Sequence, residues 1–211
     1  MSCEEFRAQV ERTLHHDGAF LFRQQQESRS DPIGRIRGYA DLPGAAVLWS
    51  FQKREPNGWD QRPLESSIVD GTLRIDLGVG DQVQEIPGAT VQRDSPLTSL
   101  WWLPRAYECT RTENVWRVLL DPMDPVVTET LLTATVRELR DRGTPLVIEA
   151  ELGETGLVSR LRVDADNPSD AHSAPALIEL LPTPRVPRDD LLDPDRHGGL
   201  WQRWNEHPWG E

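Results

Sequence analysis

The chain is short of several things, and each shortage excludes something. Of 211 residues only two are cysteine, Cys3 and Cys109. That is too few for a disulfide framework and too few for a structural zinc site. Two free thiols are favoured over a single bridge, because Cys3 sits beside the terminus. No apolar run approaches the roughly 18 residues of a membrane span, so no stable membrane insertion is expected. No basic stretch leads into an apolar one at the start, as an export signal would, and the sequence reads as cytoplasmic. Positive charge is scarce: Lys and Arg total 23 against 35 Asp and Glu, for a net charge of −12. That balance repels phosphate backbones, so nucleic acid and anionic membrane are excluded as general partners. Arg35 and Arg37 stand close together and read as a solvated strand face. The five His show no metal-ligand spacing. There is no G-x-S-x-G elbow, and Gly78-Val79-Gly80 lacks the spacing and helix of a dinucleotide loop. The expectation is a chain that is not an enzyme and uses no cofactor and no metal.

What is present is mostly strand pattern. Phe6, Val10 and Leu14 recur every four residues and predict an opening helix, with Ser2 as its N-cap and Asp17-Gly18 as its end. Ala19 to Gln24 puts Phe20 and Phe22 on one face. Ile36, Gly38, Ala40 and Leu42 alternate with Arg35, Arg37, Tyr39 and Asp41. After the Pro43-Gly44 turn, Val47, Trp49 and Phe51 share a face. Leu64 to Val69, Asp70-Gly71 and Thr72 to Leu77 form the clearest hairpin, since Asp-Gly suits a two-residue turn with positive φ. There Leu73, Ile75 and Leu77 share a face. Gly78 to Asp94 reads as a loop with a short strand, and Pro96 to Leu103 as a short helix carrying Trp101 and Trp102. Ala106 to Arg111 and Val115 to Asp121 follow as strands, and Val126 to Arg142 as the longest helix. Asp121 and Asp124 read as caps for that helix rather than as a metal site. Leu146 to Leu152, Leu157 to Asp164 and Ala176 to Leu181 complete the strands.

From Pro182 the composition changes. Four prolines (182, 184, 187 and 194) are expected to interrupt regular structure, and Asp189 to Asp195 reads as a solvated linker. Three of the eight Trp, at 201, 204 and 209, fall at the end of the chain. Disordered tails normally lack aromatics, so this tail is expected to dock, on its own domain or on another chain. Trp201, Trp204 and Trp209 are the candidate partner-binding residues. Residues 1–187 form one domain and 188–211 an acidic, Trp-rich tail. Consecutive hairpins call for an antiparallel sheet. The side chains of Val47, Trp49, Phe51, Leu73, Ile75, Leu77, Trp101 and Trp102 either fill an ordinary core or line an apolar ligand cavity.

Four stretches resemble a known family: Gly34-Arg35-Ile36-Arg37-Gly38-Tyr39-Ala40-Asp41-Leu42-Pro43, Ser67 to Ile75 with its Asp-Gly-Thr turn, Pro145 to Val163 around the Gly156-Leu157 turn, and Leu177-Ile178-Glu179-Leu180 leading into Pro184-Arg185-Val186-Pro187. They are similar to segments of the LolA/LppX-type lipoprotein and lipoprotein-carrier superfamily, over about Phe6 to Pro187. The resemblance implies an α+β fold: a curved antiparallel half-barrel sheet wrapped around two or three helices, with an apolar cavity between. It further implies a non-catalytic protein that holds a lipid, an acyl or prenyl group, or a hydrophobic peptide segment. The alternative is a cytoplasmic interaction module or a pathway accessory protein. Two departures stand out. Cys3 lies near the place of the family's lipidated Cys without a preceding lipobox, and the Trp-rich tail has no counterpart.

Overall fold

The computed structural model describes residues 3–26, 34–55, 58–59, 64–76, 82–129, 143, 145–165 and 176–207. Its frame is a single antiparallel sheet. The strands are β1 (Ala19–Gln26), β2 (Gly34–Asp41), β3 (Ala46–Glu55), β4 (Gly58–Trp59), β5 (Leu64–Val69), β6 (Thr72–Asp76), β7 (Val83–Pro87), β8 (Glu108–Thr112), β9 (Val115–Leu120), β10 (Leu146–Leu152), β11 (Val158–Ala165) and β12 (Ala176–Thr183). Their order is β7-β6-β5-β3-β2-β1-β12-β11-β10-β9-β8, with β4 paired to β3 alone. β7 and β8 are the two edges and do not pair with each other, so the curved sheet stays open. The middle is closed by the first and last strands, which pair from Ala19↔Thr183 to Gln26↔Ala176.

Helix α1 (Cys3–Leu14) fills the concave side, burying Phe6, Val10 and Leu14. Phe6 stacks at 5.4 Å on Trp116 of β9. Thr13 Oγ1 bonds back to the Gln9 carbonyl and accepts from Val158 N of β11 at 2.9 Å. Arg7 donates to the Pro104 and Ala106 carbonyls. The helix stops at Leu14, short of the expected Gly18, and Gly18 has no positive φ. Its glycine serves close approach instead, because a Cβ there would lie 3.0 Å from the Thr183 carbonyl and 2.7 Å from His16 Nε2.

Asp70 (φ 55) and Gly71 (φ 71) have the two positive φ angles of the expected hairpin turn. Helix α2 (Val91–Asp94) forms in the stretch read as a loop, and the helix expected over Pro96 to Leu103 is the shorter α3 (Ser99–Trp102) followed by a 3-10 turn over Leu103–Arg105. Pro96 lies between them, where Ser95 Oγ bonds to the Val91 carbonyl and to Leu97 N. Of the longest expected helix, α4 (Pro125–Glu129) is described and 130–142 lies outside the described residues. Asp124 Oδ1 caps it by accepting from Val126 N.

Three further expectations are corrected. Cys3 and Cys109 are joined in a disulfide. The sequence reading treated Cys3 as loose, but it opens α1, and the buried Phe6 face sets it over edge strand β8. Pro182 does not end β12, because it pairs with Phe20 of β1 while the pairing to β11 runs out at Glu179, so no partner needs its missing N–H. The tail is regular: α5 (Arg188–Leu192), a 3-10 turn (Pro194–Arg196) and α6 (His197–Glu206). Two of the acidic residues there, Asp190 and Asp193, are paired with Arg196.

The sheet therefore has two apolar layers. The concave layer joins α1 to Phe20, Phe22, Val47, Ile68, Trp116, Ile148 and Leu161. On the outer face, Leu21, Tyr39, Leu48 and Val69 are covered by Leu191, Leu200 and Trp204 of the tail. Arg37 is not a solvated strand residue, since its guanidinium stacks on Trp201 at 4.5 Å.

Candidate functional site

The strand register decides which expected site residues meet. Val47 lies opposite Ile68, and Ile68 opposite Leu73. One step along, Trp49 lies opposite Ser66 and Ser66 opposite Ile75. Phe51 lies opposite Leu64 and Ile36. All of these point to the concave side, so the alternation read from the sequence picked one face. Their environments differ. Val47 and Trp102 are enclosed in the core, while Trp49, Leu73 and Trp101 pack at its margin. Phe51, at 41% exposure, opens to solvent with Leu64. Leu77 and Trp209 lie outside the described residues. Trp201 and Trp204 face their own sheet: Trp204 Nε1 donates to the Phe22 carbonyl at 2.9 Å, and Trp201 Nε1 to Glu65 at 2.8 Å.

A groove of about 1090 Å³ opens at the end of the sheet where α1 stops. Its apolar surface comes from Leu14 of α1, Leu42, Ile68, Val91 of α2, Trp101 of α3 and Val126 of α4. Of these, sequence reasoning named only Trp101 as a ligand residue. The others come from separate elements, Leu14 from the end of α1, Ile68 from β5, Leu42 from the turn after β2, and Val91 and Val126 from short helices, which no single local pattern groups together. Glu11, His15, Thr90, Gln92, Arg93 and Arg105 are its polar lining residues. Arg93 is engaged with Asp94 and the Gly88 carbonyl. Burial pushes the Asp94 carboxyl upward, but the bonds from Arg93 and from Thr90 N outweigh it and hold the group below the usual carboxylate range. Thr90 in turn accepts from Arg93 N, so α2 is capped at both ends of one loop. That fixes Val91 in the groove wall.

The concave side also contains polar atoms with no hydrogen-bond partner: Gln9 Oε1, Gln24 Oε1 and the indole N–H of Trp116. Buried groups left this way are costly, by roughly 1–3 kcal/mol each. Among the described residues no three His, Cys, Asp or Glu side chains gather as metal ligands, and no helix is long and apolar enough to cross a membrane.

No family model matches the sequence, and no curated protein does either. Solved structures do match. LprF from Mycobacterium bovis superposes with a TM-score of 0.52 at 10% identity, covering 88% of this chain and 94% of that one. A LolA superfamily protein from Nitrosomonas europaea gives 0.44 at 7% identity over 92% and 99% of the two chains. A domain assigned to outer membrane lipoprotein sorting in Vibrio parahaemolyticus gives 0.37 at 12% identity over 90% and 97%. The match to LprF, over nearly the full length of both chains, shows that this protein has the LolA/LppX-type fold.

Proposed function

We propose that this chain is a non-catalytic binding protein that holds an apolar ligand, such as a lipid, an acyl or prenyl group or a hydrophobic peptide segment, at the concave side of its sheet. The groove carries the reading. At about 1090 Å³ it is at the upper end of the roughly 300–1,000 Å³ range of small-molecule pockets. Its lining combines aliphatic and aromatic side chains with the charged Glu11, Arg93 and Arg105. The Cys3–Cys109 disulfide supports work in an oxidising compartment rather than in the cytoplasm.

The test is displacement of a fluorescent fatty acid by palmitate and by a diacyl phospholipid. Binding should saturate near one ligand per chain. Trp101→Ala should weaken it at least tenfold while leaving the far-UV spectrum unchanged, because Trp101 lines the groove and packs only at the margin of the core. No saturable binding, or equal binding by the variant, would sink the proposal.

A further inference from the structure

One cation in the groove is held on a fixed stalk. The 3-10 turn Leu103–Arg105 follows α3, and it is pinned on both sides. Leu103 and Ala106 are fully buried, and Ala106 N donates to the Leu103 carbonyl at 3.1 Å. Tyr107 N donates to the Leu119 carbonyl of β9 at 3.0 Å. From the other side Arg7 of α1 donates to the Pro104 and Ala106 carbonyls at 3.0 and 2.7 Å. The backbone on either side of Arg105 is therefore fixed, while Arg105 itself is exposed. It lines the groove together with Pro104 and Trp101.

The other charges of the groove have partners. Arg93 is paired with Asp94 at 3.0 Å. Glu11 Oε2 lies 3.3 Å from His15 Nε2, and both side chains are more than half exposed. Arg105 has no carboxylate partner among the described residues, and Arg7 on the same turn bonds to carbonyls rather than to a counter-charge. In a chain of net charge −12 this turn carries a local excess of positive charge. A guanidinium is a planar fork of five donors that matches a carboxylate through two parallel bonds.

We propose that Arg105 is the head-group residue of the groove and that the ligand is a long-chain acid. The hydrocarbon lies along Leu42, Ile68, Val91 and Trp101, and the single carboxylate is held by the Arg105 guanidinium. This assignment rests on the groove being the ligand site. One guanidinium without a counter-charge matches one negative charge, and Glu11 in the same lining repels a head of higher charge. Arg105 therefore selects the acid over the neutral ester of the same chain.

Displacement of a neutral dye, Nile red, from the full chain at neutral pH tests this with laurate and methyl laurate. The native protein should bind laurate at least about tenfold more tightly than the ester, the equivalent of one hydrogen bond to a charged group. That preference should shrink at high salt. Arg105→Gln should erase it, and Arg105→Lys should keep part of it, because an ammonium retains the charge without the fork. Equal binding of acid and ester by the native chain, or a preference that survives in Arg105→Gln, would overturn the assignment and leave the apolar groove standing. A zwitterionic phosphatidylcholine that displaces the dye better than laurate would overturn the choice of a single carboxylate. Failure of all three compounds to displace it would sink the groove as the ligand site, and the role of Arg105 with it.

Discussion

Breaking the Cys3–Cys109 bond should cost more stability than losing any single hydrogen bond in the chain. The bridge closes a loop of 106 residues. Loop-closure entropy for that length gives about 4.8 kcal/mol at 25 °C. In a chain of this size each kcal/mol moves the melting temperature by about 2–4 °C, so reduction should lower it by roughly 10–19 °C. The native state should survive the cut. With the sulfurs free, α1 keeps its buried Phe6, Val10 and Leu14, the Arg7 bonds to Pro104 and Ala106, and the Glu5–Arg111 pair at 3.1 Å. The assay is scanning calorimetry of oxidised protein, reduced protein and a Cys3→Ser/Cys109→Ser variant, with thiols counted by alkylation and mass spectrometry. Near-UV circular dichroism should show intact packing in all three at 20 °C. A fall of less than about 3 °C with both thiols free would refute the reasoning, because loop closure would then contribute little. So would a collapse of packing on reduction, since α1 would then depend on the bridge rather than on its own face.

Other expectations follow from single positions. Gly38→Ala should destabilise by about 3 kcal/mol in a denaturant melt: its Cβ would fall 2.2 Å from Phe22 Cζ and 2.7 Å from the Leu48 carbonyl, and that carbonyl is fixed in the sheet. Gly199→Ala should do the opposite by about 0.5–1 kcal/mol, as nothing lies within 4 Å of its Cβ in α6. Trp204→Ala should cost about 3–5 kcal/mol of tail docking, read as lost exchange protection over α6, while Trp204→Phe loses mainly the bond to the Phe22 carbonyl. Burial pushes the Tyr39 phenol above its ordinary value. The unfolded chain therefore ionises first, and stability should be flat below about pH 10 and fall above it. Tyr39→Phe should remove that fall in an alkaline melt, at the cost of the bond from Val186 N, about 1 kcal/mol at neutral pH.

Much of the sheet was legible because period-two patterns and turn residues report directly on strands. The Asp70-Gly71 hairpin and the shared face of Val47, Trp49 and Phe51 were found that way. Three things were not. The pairing of β1 with β12 joins segments about 160 residues apart, as Phe20↔Pro182 shows, and no local pattern encodes which distant strand closes a sheet. The groove was hidden because Leu14, Leu42, Val91 and Val126 come from a helix end, a turn and two short helices. The disulfide was hidden because the position of Cys3 depends on where α1 packs, which is a tertiary fact.

The tail's landing place was legible in principle, by a signal that went unused. A strand with one wet face alternates, and a strand covered on both faces does not. Ala19-Phe20-Leu21-Phe22 and Ala46-Val47-Leu48-Trp49 are continuous apolar runs, so β1 and β3 demand a second cover on their outer side. Tyr39 on β2, between them, is fully buried there. In the other half of the sheet the outer face is polar: Arg162 of β11 faces Glu149 of β10, and Arg160 reaches Glu179 of β12 at 3.4 Å, with Arg23 of β1 completing the pair. Those charges neutralise one another, with Arg160, Arg162 and Glu149 half-exposed and Arg23 and Glu179 mostly buried. The outer side is thus divided between a self-covering tail and a self-paired charge ladder. That leaves the concave side, with its groove, as the face to which the proposed ligand is assigned.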